Sequence, residues 1–265
     1  MASAMCKTVR SEAHSVSRYG PLVRVVLAAT GLVLAAGAGP ASANWTTLNS
    51  GTNQDLIAVH FPTDGSTGFV VGNRATILKT ANGGNTWSRQ SSGATVGLTA
   101  VHFQADATTG YVVGGAGIIL KTTNGGARWT RLTSGTSLNL RSVYFLNAST
   151  GHVGGDSQTL LKTTDGGQTW QAQHVAEGSI FAIQFPGNGQ TGYVAAIAGS
   201  IGYVYKSEDG GANWVRDLNI DDAFLYSLHF PAGDQVGYGN RAVLGRLRIS
   251  SPRELDVDRA RLARR

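Results

Sequence analysis

The nine residues "KTTDGGQTW" (Lys162–Trp170) are written four times in this chain. The other copies are "KTANGGNTW" (Lys79–Trp87), "KTTNGGARW" (Lys121–Trp129) and "KSEDGGANW" (Lys206–Trp214). Trp45, Trp87, Trp129, Trp170 and Trp214 stand 42, 42, 41 and 44 residues apart. Two further segments recur in the same phase. One is "LIAVHF" (56–61), matched at 98–103, 140–145, 180–185 and 225–230; the other is "STGFVVGNRATILKT" (66–80), matched at 108–122, 149–163 and 190–207. A repeat of this length cannot bury its own apolar face, so neighbouring copies must stack into a shared core.

Each unit holds four short runs rich in β-branched and aromatic residues, separated by Gly, Asn, Asp and Thr, the pattern of strands joined by tight turns. Four strands in about 40 to 45 residues is the signature of a β-propeller blade. Alternation within the runs is weak, as expected when both faces of a sheet are covered by neighbours. Charged residues make up only 14% of the chain and glycines number 36, which favours turns and strands over helices. The expected fold is all-β, with blades of four strands and about four and a half repeats between residues 44 and 240.

In the nine-residue motif, the Asn or Asp is expected to accept backbone N–H bonds inside a hairpin turn, and the paired glycines to take positive φ. The turn residues are Asn82, Asn124, Asp165 and Asp209; Trp87, Trp129, Trp170 and Trp214 are expected to fill the gap between blades. Two of the four turn positions are neutral, which argues against an oxygen-ligand metal site. No metal and no cofactor is expected.

The net charge of +6 divides unevenly: +3 in residues 1–43, +5 in residues 241–265 and −2 between them. The body is close to neutral, so a nucleic-acid partner is not indicated. Residues 1–43 read as an export signal: Lys7, Arg10, Arg18 and Arg24, then the apolar run Val25–Ala38, then "ASA" (Ala41–Ala43). The apolar run is too short to span a bilayer, so the mature chain is membrane-peripheral at most. The only cysteine, Cys6, precedes that run, which leaves no disulfide to support the fold.

The [ST]-x-[DN]-G-G-x-x-W pattern resembles the Asp-box, or bacterial neuraminidase repeat. The fuller pattern, from L-x-x-V-x-F through T-G-[YF]-V-V-G to the Asp-box, resembles the photosystem II assembly and stability factor family of β-propellers. The resemblance covers Trp45 to Tyr238. It implies a seven-bladed propeller, here incomplete, and an exported, non-enzymatic protein in the periplasm, the thylakoid lumen or outside the cell. It also implies a protein partner, a nascent subunit of a membrane complex, held by a basic face. Arg74 and Arg141 match that face by repeat position; Lys79, Lys121, Lys162 and Lys206 recur once per blade and form a second basic set. The alternatives are a secreted Asp-box propeller that binds or hydrolyses glycans, as sialidases do, and a non-functional truncated fragment.

Three features stay open at this point. His60, His102, Tyr144, Gln184 and His229 share one slot, read either as a metal or proton site or as a tolerant polar position. Carboxylates that a glycosidase could use are Asp106, Asp156, Glu177, Asp221 and Asp222, with no spacing that selects a pair. After Tyr238 the repeat breaks into "GNRAVLGRLRISSPRELDVDRARLARR" with eight arginines from residue 241 on. That tail reads as a truncation or frame-shift rather than a basic extension, because it interrupts a blade and leaves open edges through which the chain could self-associate.

Overall fold

The computed structural model describes residues 47–62, 65–175, 177–187, 189–230, 236–241 and 246–250. The expected export signal at 1–43 and the tail from residue 251 on lie outside the described residues.

Among the described residues, five antiparallel sheets follow one another. Sheet one comprises β1 (Leu56–His60), β2 (Gly68–Gly72), β3 (Thr76–Thr80) and β4 (Ser88–Arg89). Sheet two comprises β5 (Leu98–Phe103), β6 (Gly110–Gly114), β7 (Ile119–Thr122) and β8 (Thr130–Leu132). Sheet three comprises β9 (Leu140–Phe145), β10 (Gly151–Gly155), β11 (Leu160–Thr163) and β12 (Gln171–Gln173). Sheet four comprises β13 (Ser179–Gln184), β14 (Gly192–Ala198), β15 (Ile201–Ser207) and β16 (Val215–Ile220). Sheet five has three strands, β17 (Leu225–His229), β18 (Val236–Arg241) and β19 (Arg246–Ser250). In every sheet, strands adjacent in sequence are paired in space.

The first strands of successive sheets pack side by side, β1 on β5, β5 on β9, β9 on β13 and β13 on β17, and so form the inner wall of an arc. The second strands of sheets one to three are buried along their whole length, whereas β4 is exposed. This is an incomplete β-propeller, as the repeat predicts. The apolar core lies in the seams between sheets. Phe69, Val71 and Ile77 of sheet one share a cluster with Leu98, Val101 and Phe103 of sheet two, and the later seams repeat the arrangement. A sheet with apolar groups on both faces folds only between neighbours, which explains the weak alternation within strands.

One ring motif organises the first three seams. Phe103 stacks on Phe69 of the preceding sheet at 3.6 Å between centroids, and Trp129 meets Phe103 edge-on at 5.9 Å. Phe145 repeats this with Tyr111 and Trp170, and Phe185 with His152 and Trp214. Trp129, Trp170 and Trp214 therefore join seams, while Trp87 meets Phe61 of its own sheet edge-on at 6.2 Å. The stacked Phe also explains the glycine of the T-G-[YF] segment. Phe103 pairs with Gly110 across the sheet, and a Cβ there would lie 2.4 Å from the ring.

Candidate protein-binding surface

The Asp-box turns are closed hydrogen-bond units. Thr163 Oγ1 accepts the backbone N–H of Gly167 at 2.9 Å and donates to Asp165 Oδ1 at 2.8 Å. Asp165 Oδ1 accepts the Thr169 N–H, and its Oδ2 accepts the Thr169 hydroxyl. These bonds, the one from the Thr169 side chain foremost, hold the Asp165 carboxyl down to about 2. Asn82 and Asn124 make the same backbone bonds through their amide oxygens, as Asp209 does through its carboxylate. The paired glycines have φ of 66° and 91° in the first box and 70° and 88° in the third. Charge at this position is therefore optional for the turn, and its oxygens are already engaged by donors. Among the described residues no group of three metal-ligating side chains forms.

The recurrent lysines cross the seams. Lys79 Nζ donates to the Gly125 carbonyl at 2.8 Å, Lys121 to Gly166 at 2.8 Å and Lys162 to Gly210 at 3.0 Å. Each reaches the Asp-box of the next sheet, with Lys79 and Lys121 passing over the rings of Phe69 and Tyr111. Lys206 has no Asp-box ahead of it in sheet five and pairs with Glu208 of its own turn at 2.6 Å.

The shared polar slot acts across the seams as well. His60 Nε2 lies 3.1 Å from the Phe103 carbonyl, and the Tyr144 hydroxyl donates to the Phe185 carbonyl at 2.9 Å. Burial lowers the pKa of His60 and brings that of His102 down to about 3, with the neighbouring His60 adding to the effect on His102. A half-buried imidazole or phenol bonded to a main-chain carbonyl of the next sheet is a seam fastener.

The opposite ends of the sheets look different. Near the start of each first strand the pairing register shifts, leaving one residue out of the ladder in β1, β5, β9 and β13 and two, Tyr226 and Ser227, in β17. A bulge re-aims a side chain. The residues at this place are Ile57, Thr99, Arg141, Phe181 and Tyr226. Ile57 is 53% exposed and Tyr226 47%. The Arg141 guanidinium lies 4.8 Å from the centroid of Phe181, and Phe181 meets Tyr226 edge-on at 5.1 Å. A cation and two aromatic rings thus follow one another across sheets three to five. The Arg141 Nε also donates to Asp156, which accepts from Asn139 Nδ2 at 3.1 Å. Burial opposes ionisation of Asp156, but the bonds from Arg141 and Asn139 and the Arg141 charge outweigh it and hold the carboxyl below its usual range.

Arg74 is exposed in the three-residue turn between β2 and β3, with φ of 51°, and Ala75 follows at 54°. Register places this turn at the end of sheet one where β1 begins, the same end at which Arg141 sits in sheet three. Sheet two stands between them with Thr99 and Ala116 at the matching positions, so the two arginines do not form one continuous patch. Arg74 instead shares an open cleft with Arg89 and the connector after β4; Arg131 lines the equivalent cleft beside Gly117. Sequence reasoning missed Phe181 and Tyr226 as site residues. The available signal was their shared second place in the L-x-x-V-x-F segment.

Of the carboxylates considered for catalysis, Asp106, Asp156 and Glu177 are engaged by other groups. Asp106 accepts from the Thr108 hydroxyl and from the Thr108 and Thr109 N–H groups, which lower its pKa. Asp156 serves Arg141, and Glu177 lies 3.6 Å from Arg216.

The fold and these turns define an Asp-box β-propeller. A family model described as the photosynthesis system II assembly factor YCF48 matches residues 38–141 and 135–224. The chain belongs to that family. No curated protein matches it. Among solved structures, YCF48 bound to D1 peptide is similar with a TM-score of 0.63 and 21% identity, over 80% of this chain and 68% of that one. YCF48 from Cyanidioschyzon merolae gives 0.62 and 19%, over 80% and 72%. An ancestral GH74 enzyme gives 0.58 and 18%, over 76% of this chain and 32% of the enzyme. At these identities the structural likeness is one of fold.

Proposed function

We propose that this chain is an exported, non-enzymatic binding platform that holds a segment of a membrane-complex subunit during assembly, of the photosystem II kind. Family membership supports the class of role, and the similar YCF48 structure was solved with a D1 peptide. The observation that carries the reading here is the bulge row. Arg141, Phe181 and Tyr226 are set out of the ladder on adjacent inner strands, where they offer one charge and two ring faces to an extended peptide. A general acid needs a raised carboxyl pKa, whereas burdened or bonded carboxyls here, Asp106, Asp156, Asp165 and Asp209, are all shifted downward. Export rests on the basic region, apolar run and A-x-A site of residues 1–43.

Titration of the purified chain with fluorescent peptides tiling D1 tests the reading. Saturable binding by one peptide is expected, weakened about tenfold by Arg141→Ala, the scale of one charge-assisted contact. Absence of binding to every peptide sinks it. Sugar release from xyloglucan or a sialoside would replace it with the glycan-active alternative.

A further inference from the structure

The third seam cuts the binding row between its charge and its rings. Arg141 stands on β9 of sheet three, whereas Phe181 and Tyr226 stand on β13 and β17 of sheets four and five. The row therefore exists only while sheets three and four stay packed. Side chains of sheet three bond across this seam. The Tyr144 hydroxyl donates to the Phe185 carbonyl, Lys162 donates to the Gly210 carbonyl, and Ser142 Oγ accepts the Ile183 N–H at 3.1 Å.

The same seam has an imidazole where the others have a phenyl or phenol ring. Phe69, Tyr111 and Tyr193 take the stacked place in the first, second and fourth seams, and His152 takes it in the third. The His152 ring lies 4.8 Å from that of Phe185, with Trp214 edge-on at 6.1 Å. Nε2 faces the Asp-box main chain of sheet four, where a Cβ on Gly211 would lie 2.7 Å away. Tyr144 and Lys162 flank His152 in register on its own sheet. The acids of the facing Asp-box are engaged elsewhere: Asp209 accepts the Ala212 and Asn213 N–H groups, and Glu208 pairs with Lys206. The charge acting on His152 is thus the Lys162 ammonium.

In the second seam a neutral phenol and an ammonium, Tyr111 and Lys121, share the Gly166 carbonyl. A proton on His152 would instead set two cations beside the Gly210 carbonyl, at a ring that is 0% exposed. Opening the seam returns the imidazole to water and to its ordinary pKa of 6.5, so each pH unit below that value favours the open form about tenfold.

We propose that His152 is an acid-operated latch on the binding row: proton uptake at this ring parts sheets three and four, separates Arg141 from Phe181 and releases the held peptide. The release step rests on the reading of Arg141, Phe181 and Tyr226 as the binding row; the latch does not.

Hydrogen exchange on the free full chain at pH 8 and pH 5, corrected for the intrinsic effect of pH on exchange, reads the latch without a ligand. The reporter is the Ile183 amide, whose bond crosses the seam. Its protection should fall about thirtyfold, the factor for about 1.5 units below 6.5. It should hold in His152→Phe and in His152→Tyr, which restore the rings of the other seams. No fall in the wild type, or an equal fall in both variants, overturns the latch. Titration with the fluorescent D1 peptides at the same two pH values reads the release step. The Kd should rise at least about threefold more in the wild type than in His152→Phe, as the closed fraction shrinks. Comparing the two chains removes the titration of the peptide and of Asp156. Equal rises overturn the release step. Absence of binding by every peptide at pH 8 counts against the binding row, and the exchange result still decides the latch.

Discussion

The seam between sheets two and three and the seam between sheets four and five are built on the same template, and only the first is complete. At the second seam Tyr111 stacks on Phe145 at 3.5 Å, its hydroxyl donates to the Gly166 carbonyl, and Lys121 donates to the same carbonyl. At the fourth, Tyr193 stacks on Phe230 at 4.5 Å, but Lys206 turns back to Glu208. The comparison separates two contributions that the repeat always writes together. Ring stacking needs only the L-x-x-V-x-F segment of the next sheet, whereas the lysine bond needs its Asp-box. A lysine at the same repeat position is thus a seam anchor in one place and an ordinary surface ion pair in another.

The sharpest break comes from the rings. Phe145→Ala removes a side chain that is 4% exposed and engaged by Tyr111 and Trp170, and should destabilise by about 3–5 kcal/mol, the usual range for buried Phe to Ala. Phe230→Ala, at a half-buried position, should cost clearly less. Urea midpoints of the two variants check the difference, and equal losses would mean that the fourth seam is as tight as the second.

The Asp-box can be broken one atom at a time. Thr163→Val leaves the buried Gly167 N–H without its acceptor and should cost about 1–3 kcal/mol, the penalty for an unsatisfied buried donor. Hydrogen exchange should show the Gly167 amide losing protection before the β10 amides do.

Lysine substitutions test the contrast between seams directly. Lys121→Met should cost about 1.5–3 kcal/mol, as for a hydrogen bond from a charged group, whereas Lys206→Met should cost less than about 1 kcal/mol because its pair is exposed and screened. Comparable losses would show that Lys206 also anchors a seam.

The third seam differs by a single ring. His152 is fully buried in the place that Phe69 and Tyr111 occupy, and neither imidazole nitrogen has a hydrogen-bond partner. Burial first, and then the Lys162 charge, lower its pKa from 6.5 to about 3 against a weaker opposing pull from the Gly210 carbonyl. Between those values the unfolded chain binds the proton that the folded chain refuses. Stability from this group is therefore complete above pH 6.5 and is lost as pH falls toward 3. His152→Phe should flatten part of that loss and leave the midpoint at pH 8 unchanged or higher. His102 and His60, lowered in the same direction, add to the acid sensitivity, as do the depressed carboxyls at lower pH.

The strands, the turns and the place of the tryptophans were legible because each is a local or periodic property. Positive φ at Gly166 and Gly167 follows from two adjacent glycines in a tight turn, and the sheets follow from runs of β-branched residues at fixed spacing. The role of the lysines was not legible. A cation at a regular spacing looks alike whether it faces water or a carbonyl 45 residues further on, and only the stacking of sheets supplies the carbonyl. Arg141 shows the reverse. Its repeat position is shared with Ile57 and Thr99, and only the register shift in β9, with Asp156 and Phe181 alongside, turns it into part of a surface.

The sequence by itself determined a repeating four-stranded unit, its Asp-box turns and an aromatic ring at every seam, because periodicity and glycine chemistry act over a few residues. The tertiary structure alone decided which cations are spent inside the molecule and which rings face outward. Those outcomes depend on what the next sheet brings within hydrogen-bond or ring-contact distance, and no stretch of one repeat contains that information.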